Sequence, residues 1–146
     1  MTQSLLWNHK RIYSFGAGTQ SIAVMVAQGQ GLLKNPYDYF VWADVGHDSE
    51  DPQVHEYMRD YVMPYCQQNN IKMIRVFKTY KGAEDTILKS ITRKNKTIPI
   101  PVRMKNGAPG NRTCTYDFKI AQVDKWCKNK GFSHVTVGLG FSLDTF

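Results

Sequence analysis

"YSFGAGTQSIAVMVAQ", residues 13–28, decides how the rest of the chain is read. An aromatic, strand-like run meets glycine and hydroxyl residues, and an apolar stretch of helical length follows at once. Arg11 to Phe15 reads as a short strand and Thr19 to Gln28 as a helix, apolar almost all round and so buried on more than one side. Gly29 and Gly31 stop that helix. Two readings of the turn stand side by side. It is a tight strand-to-helix connection with no ligand, or its amide hydrogens converge on an anion at a helix start. Glycine lets a ligand approach the backbone, and Ser14, Thr19 and Ser21 add hydroxyl donors.

Working outward, residues 37–44, "YDYFVWAD", read as a second strand ending at Asp44. Asp51 is a good N-cap and Pro52 suits the first helical position. Val54, Tyr57, Met58, Tyr61, Val62 and Tyr65 then share one helix face, with Pro64 expected to kink or end it and the tyrosines expected in the core. Residues 71–77 read as a third strand and 83–94 as a shorter amphipathic helix. Residues 95–114 hold three prolines, two glycines and several cations, and read as a long loop. A helix over 115–131 follows, stopped by Gly131, with Ile120, Val123, Trp126 and Cys127 as its inner stripe. "SHVTVGLG", 133–140, is a last strand.

Strands alternating with helices imply parallel pairing through right-handed crossovers. The expected fold is α/β: a three-layer sandwich, Rossmann-like, around a mainly parallel five-stranded sheet. One domain spans residues 1–146; a minimal domain and one truncated at the C-terminus are both open readings. Ligands of such folds bind beyond the carboxyl ends of the strands. Here those ends carry Gly16–Ser21, Asp44–Asp48, Phe77–Lys81 and Gly138–Asp144.

Composition narrows the function classes. At 42% hydrophobic and 12% aromatic the chain is built to fold rather than stay disordered. No long apolar run or secretory leader is read, so no membrane is expected. Cys66, Cys114 and Cys127 are odd in number and lack a C-x-x-C pair, which reads as reduced thiols in a cytoplasmic protein. Cys66 and Cys127 fall on apolar helix faces as core residues. A formal charge of +7 favours polyanionic partners, a nucleotide or a nucleic acid, and also serves solubility.

No Walker A tripeptide occurs, and Gly16-Ala17-Gly18-Thr19-Gln20-Ser21 departs from a dinucleotide fingerprint at its last place. Taken whole, Ser14-Phe15-Gly16-Ala17-Gly18-Thr19-Gln20-Ser21 resembles the pyrophosphate loop, or PP-loop, of the adenine nucleotide alpha-hydrolase superfamily. Its Ser-Phe-Gly start is similar to the phosphoadenylyl sulfate (PAPS) reductase branch, as is Trp42-Ala43-Asp44-Val45-Gly46 after the second strand. Arg112 with Cys114-Thr115-Tyr116-Asp117-Phe118-Lys119-Ile120 resembles a segment of the reductase-like proteins common in phage genomes.

The resemblance implies an adenine nucleotide alpha-hydrolase-like fold binding ATP or a sulfonucleotide such as adenosine phosphosulfate, usually with magnesium. Phosphate would sit on Ser14, Phe15, Gly16, Ala17, Gly18, Thr19, Gln20 and Ser21, with Asp44 and Gly46 holding the rest of the nucleotide. Chemistry at the α-phosphate, adenylation of an unidentified acceptor with pyrophosphate release, would use Asp44, Cys114, Arg112 and Lys119. Two departures matter. Gln20 stands where the loop usually has Asp, and the reductase's C-terminal catalytic cysteine segment has no counterpart. A non-catalytic module binding a nucleotide or nucleic acid is therefore the alternative, and a sulfonucleotide reductase a third.

The residues by themselves leave several roles open. Cys114, near Arg112 and Lys119, is a thiolate candidate or an ordinary thiol at a loop–helix junction. Asp44 takes a ribose hydroxyl, a metal or a proton, or else caps a turn. Arg103, Lys105, Arg112 and Lys119 clamp phosphates or merely solvate the loop. His47, Asp48 and His55 fit no strong zinc pattern and read as a solvated loop, so no metal ligand is assigned.

Overall fold

The computed structural model describes residues 8–94, 100, 102–110 and 113–141. Three strands run first: β1 (His9–Phe15), β2 (Tyr39–Asp44) and β3 (Met73–Phe77). A hairpin of β4 (Thr79–Tyr80) and β5 (Ala83–Glu84) follows, and β6 (His134–Gly138) comes last. The helices are α1 (Thr19–Gly29), α2 (Pro52–Tyr57), α3 (Met63–Gln68), α4 (Ile87–Thr92) and α5 (Ala121–Asn129).

The main sheet is four-stranded, in the order β3-β2-β1-β6, and every pairing is parallel. Among the described residues the sheet thus has four strands where five are expected, and residues 79–84 pair with themselves as a separate antiparallel hairpin. The reason is the turn chemistry: Lys81 and Gly82 both take left-handed backbone angles (φ +51° and +80°), the requirement of a two-residue hairpin. The helix expected over 83–94 consequently starts only at Ile87, where the Thr86 hydroxyl caps the Lys89 amide at 3.1 Å.

Period-two alternation sorts the strand residues onto two faces. Tyr13, Phe15, Phe40 and Trp42 pack with Met25 of α1 and with Met58, Val62 and Cys66 of the second helical region. Ile12, Val41 and Val76 pack on the other face with Val123, Trp126 and Cys127 of α5. Helices thus cover both faces. Each fully buried side chain such as Phe40, Val41 or Met58 contributes about 1.5–3 kcal/mol.

Pro64 neither ends nor sharply breaks its helix. Residues Met58–Val62 form one wider turn, closed by the Met63 amide on the Met58 carbonyl, and α3 continues from it. Widening the turn ahead of the proline absorbs its missing N–H and the bulk of its ring. The tyrosines divide: Tyr65 packs in the core, whereas Tyr57 and Tyr61 stack on each other near the surface, 38% and 65% exposed. A second wide turn, Tyr116–Ile120, precedes α5 and rotates the expected stripe. Phe118 is buried in place of Ile120, which is 55% exposed. Burial pushes the Cys66 thiol up to about 11, in keeping with its core placement.

Candidate functional site

In the strand order β3-β2-β1-β6 the chain moves one way from β1 to β3, then places β6 on the other side of β1. The carboxyl ends of β1 and β6 therefore frame the switch point where ligands of open α/β sheets settle. The loops after these two strands touch. A methyl group on Gly140 would lie 2.5 Å from the Tyr13 hydroxyl and 2.9 Å from Cβ of Gln20, so only glycine lets this loop close on the start of α1.

Ala17, with φ +57°, turns the chain from β1 into α1 through a left-handed residue. Gly18 is the helix N-cap and provides no side-chain cap, and the first turn carries no acidic residue. The first intrahelical bond is from the Ile22 amide to the Gly18 carbonyl, at 3.0 Å. The amides of Thr19, Gln20 and Ser21 are thus the orphan donors of the helix start. Gly16 and Gly18 face open space: a methyl on either would meet nothing nearer than 3.9 and 3.8 Å.

This turn forms one wall of a cleft of about 540 Å3 lined by Ala17, Gly18, Thr19 and Ile22, with Asp51, Gln53, Val54 and Tyr57 opposite. Two helix starts therefore look into one space. They are not equivalent, because α2 is already capped by the Asp51 carboxylate on the Gln53 amide at 2.9 Å. The uncapped positive end of the cleft is that of α1.

The other expected residues do not all gather here. Ser21 is buried and its hydroxyl accepts the Gly16 amide at 3.1 Å. Phe15 lies in the core. Gln20 is exposed beside the Gly140 loop. Ser14 points to the opposite face of the sheet, where with Lys119 it lines an apolar groove of about 420 Å3 along α5 and β6. Cys114 is half-buried just before the second wide turn and lines none of these clefts. Arg112 lies outside the described residues. The described part of the long loop closes on itself, Arg103 bridging to Pro109.

Asp44 is buried at the tip of β2 and its two oxygens are fully engaged. Oδ1 accepts from the Gly46 amide at 2.9 Å and lies 3.0 Å from His55 Nε2; Oδ2 accepts from Arg75 Nε at 2.7 Å. Arg75 reaches on to Glu84 Oε1 at 2.6 Å. Burial alone would raise the Asp44 carboxyl, but the Gly46 amide, Arg75 and His55 outweigh it and hold it below the ordinary range. Gly46 is fixed by its φ of +105° and by contact with Thr86.

His55 and Arg75 were not assigned a role from the sequence. His55 is on α2, not in a solvated loop, and its ring is 4.7 Å from that of His47 and 5.5 Å from that of Trp42. Both histidines line a second cleft, of about 590 Å3, with Trp42, Asp44 and Arg75. Among the described residues no group of three or more His, Cys, Asp or Glu is arranged to hold a metal ion, and no helix is long and apolar enough to cross a membrane. No protein-family model, curated protein or solved structure matches the chain, so the site rests on its own geometry.

Proposed function

We propose that the chain is a nucleotide-binding α/β protein of the PP-loop kind, similar to PAPS reductases in fold, that holds the phosphates of ATP or a sulfonucleotide at the start of α1 and acts at the α-phosphate. One observation carries this reading. At the switch point of the parallel sheet, an uncapped helix start with three orphan amides faces an open cleft at Gly18, a glycine that no crowding requires. The helix dipole adds about 0.3–1 kcal/mol to an anion held there, and each amide-to-phosphate bond adds to that.

Ala17, Gly18 and Thr19 hold the phosphate tail in this reading. Ser21 supports the turn through Gly16 rather than meeting the ligand. Asp44 positions His55 and Arg75 instead of taking the ribose. The carboxylate lining the phosphate cleft is Asp51, not the loop position occupied by Gln20; magnesium arriving with ATP would meet one carboxylate, already shared with the Gln53 amide, and would bring charge neutralisation.

Calorimetric titration with MgATP, with pyrophosphate release measured in parallel, tests the proposal. Gly18→Asp is the informative variant: a Cβ there meets nothing nearer than 3.8 Å and Asp is a favoured N-cap residue, so the fold is expected to stay intact while a carboxylate occupies the phosphate position. ATP affinity is expected to fall by about 10–100-fold, the effect of roughly 1.4–2.8 kcal/mol. Equal affinity in the variant would remove the loop from the binding account. Salt-sensitive nucleic-acid binding that survives the same substitution would favour the non-catalytic alternative.

A further inference from the structure

We propose that Tyr57, braced by Tyr61, is a stacking platform for a nucleobase, so that the cleft between α1 and α2 grips a nucleotide at both ends, its base on the ring and its phosphates on the amides. The proposal rests on the nucleotide reading for the phosphate end. The platform itself stands on three observations of its own.

The first is the placement of the ring. Tyr57 closes α2 and lines the cleft opposite Gly18 and Thr19 at the start of α1. The space between holds about 540 Å3, within the roughly 300–1,000 Å3 usual for small-molecule sites. Tyr57 is the aromatic residue of that lining, and Ile22 and Val54 add apolar wall. One cleft thus offers both backbone donors and a flat apolar surface. A nucleotide divides in the same way, into a charged tail and a planar base.

The second is the ring pair. Tyr57 and Tyr61 stand about one helical turn apart and stack, with centroids 5.2 Å apart and planes inclined by 28°. The wide turn that begins at Met58 carries Met58 and Val62 into the core and leaves Tyr61 outside. Both tyrosines are exposed, so core packing does not account for them. A stacked pair supports a helix surface wherever it lies. What turns this one toward a ligand is that one of its rings belongs to the wall of the cleft. Tyr61 also restrains the Tyr57 ring, so a base that stacks there has less side-chain freedom to remove.

The third is the state of the other walls. The end of β2, where the sequence suggests the rest of a nucleotide, is closed to a base. The Asp44 side chain is buried with both oxygens engaged, and Gly46 is pressed against Thr86. Trp42 is buried, stands edge-on to His55, and lines the second cleft rather than this one. Among the described residues lining the phosphate cleft, Tyr57 alone has an aromatic face to offer. Stacking asks for a planar face rather than for hydrogen bonds, and every base has one.

Two measurements on the full chain test this. Calorimetric titration compares MgATP with magnesium tripolyphosphate, which carries the charged tail and no base. In wild type and Tyr57→Phe, ATP is expected to bind about tenfold more tightly than tripolyphosphate. In Tyr57→Leu that advantage is expected to vanish, with tripolyphosphate affinity unchanged. An ATP advantage that survives in Tyr57→Leu overturns the platform, and so does its absence in wild type. The second measurement needs no variant and no phosphate. Aromatic carbon-13 NMR spectra are recorded during titration with adenosine, whose ring current moves the signals of a tyrosine it stacks upon. We expect the Tyr57 ring signals to shift upfield and those of Tyr61 to shift less. Tyr57 signals that stand still in millimolar adenosine and in saturating MgATP overturn the proposal. A Tyr57 shift with adenosine, in wild-type protein that binds neither ATP nor tripolyphosphate, would fell the phosphate reading and leave the platform standing.

Discussion

Asp44→Asn is expected to destabilise the protein by about 2–4 kcal/mol at neutral pH, a fall in melting temperature of about 5–15 °C. The side chain is 1% exposed and gathers a backbone amide, a guanidinium and an imidazole. Asn keeps one accepting oxygen but loses the charge that pairs with Arg75, and its NH2 end sets a donor against a donor on the other side. Arg75 is 36% exposed, so water recovers part of the loss, which keeps the figure below that of a fully buried pair.

The pH dependence has a definite sign. The Asp44 carboxyl is held below its ordinary value in the folded state. Its contribution is therefore complete above about pH 5 and is lost as pH falls through the depressed folded value. Wild type and Asp44→Asn should differ most near neutrality and converge in strong acid. Chemical denaturation at a series of pH values measures this, and a difference independent of pH would show that shape, not charge, holds the network.

Gly46→Ala should cost about 2–4 kcal/mol for a separate reason. A methyl at this position falls 2.2 Å from Thr86 Cγ2 and 2.7 Å from its Cβ, on a backbone with φ +105°. Thr86 has nowhere to go: it is 5% exposed, caps α4, and donates to Asp48 Oδ2 at 3.0 Å. Combining Gly46→Ala with Thr86→Ser removes the Cγ2 clash and should restore part of the stability, the 2.7 Å approach to Cβ and the left-handed strain remaining. Full recovery would assign the whole cost to the Cγ2 contact, and no recovery would assign it to the Cβ contact and the backbone together. Because Gly46 holds Asp44 Oδ1, the single variant should also disturb the nitrogen-15 imidazole signals of His55.

What the sequence made legible was local. The strand, glycine turn and helix of residues 11–29 follow from neighbours within a few positions, and so does the Asp51–Pro52 helix start. The end of β2 at Asp44 was equally readable. The partners of Asp44 were not: Arg75, 31 residues away, meets it through the β2–β3 register, Trp42 opposite Arg75, and His55, 11 residues away, through the placement of α2 beside the end of β2. Periodicity carries no register between strands. Other features do leave a signal in the sequence. Ser14 and Phe15 alternate along a strand, so one had to face away from the α1 side. Gly82 between Tyr80 and Ala83 marks a turn, but Lys81 is not a residue that favours the left-handed angle its place in the hairpin takes, so the hairpin itself carries only half a signal.

The most direct test of the phosphate cup is to watch its amides. In nitrogen-15 correlation spectra of the full chain titrated with MgATP, and separately with pyrophosphate, the amide signals of Gly18, Thr19, Gln20 and Ser21 should move together and saturate at one concentration, and should stand still in Gly18→Asp. Stationary signals at these four residues, with shifts confined to lysine-rich surface elsewhere, would contradict the account.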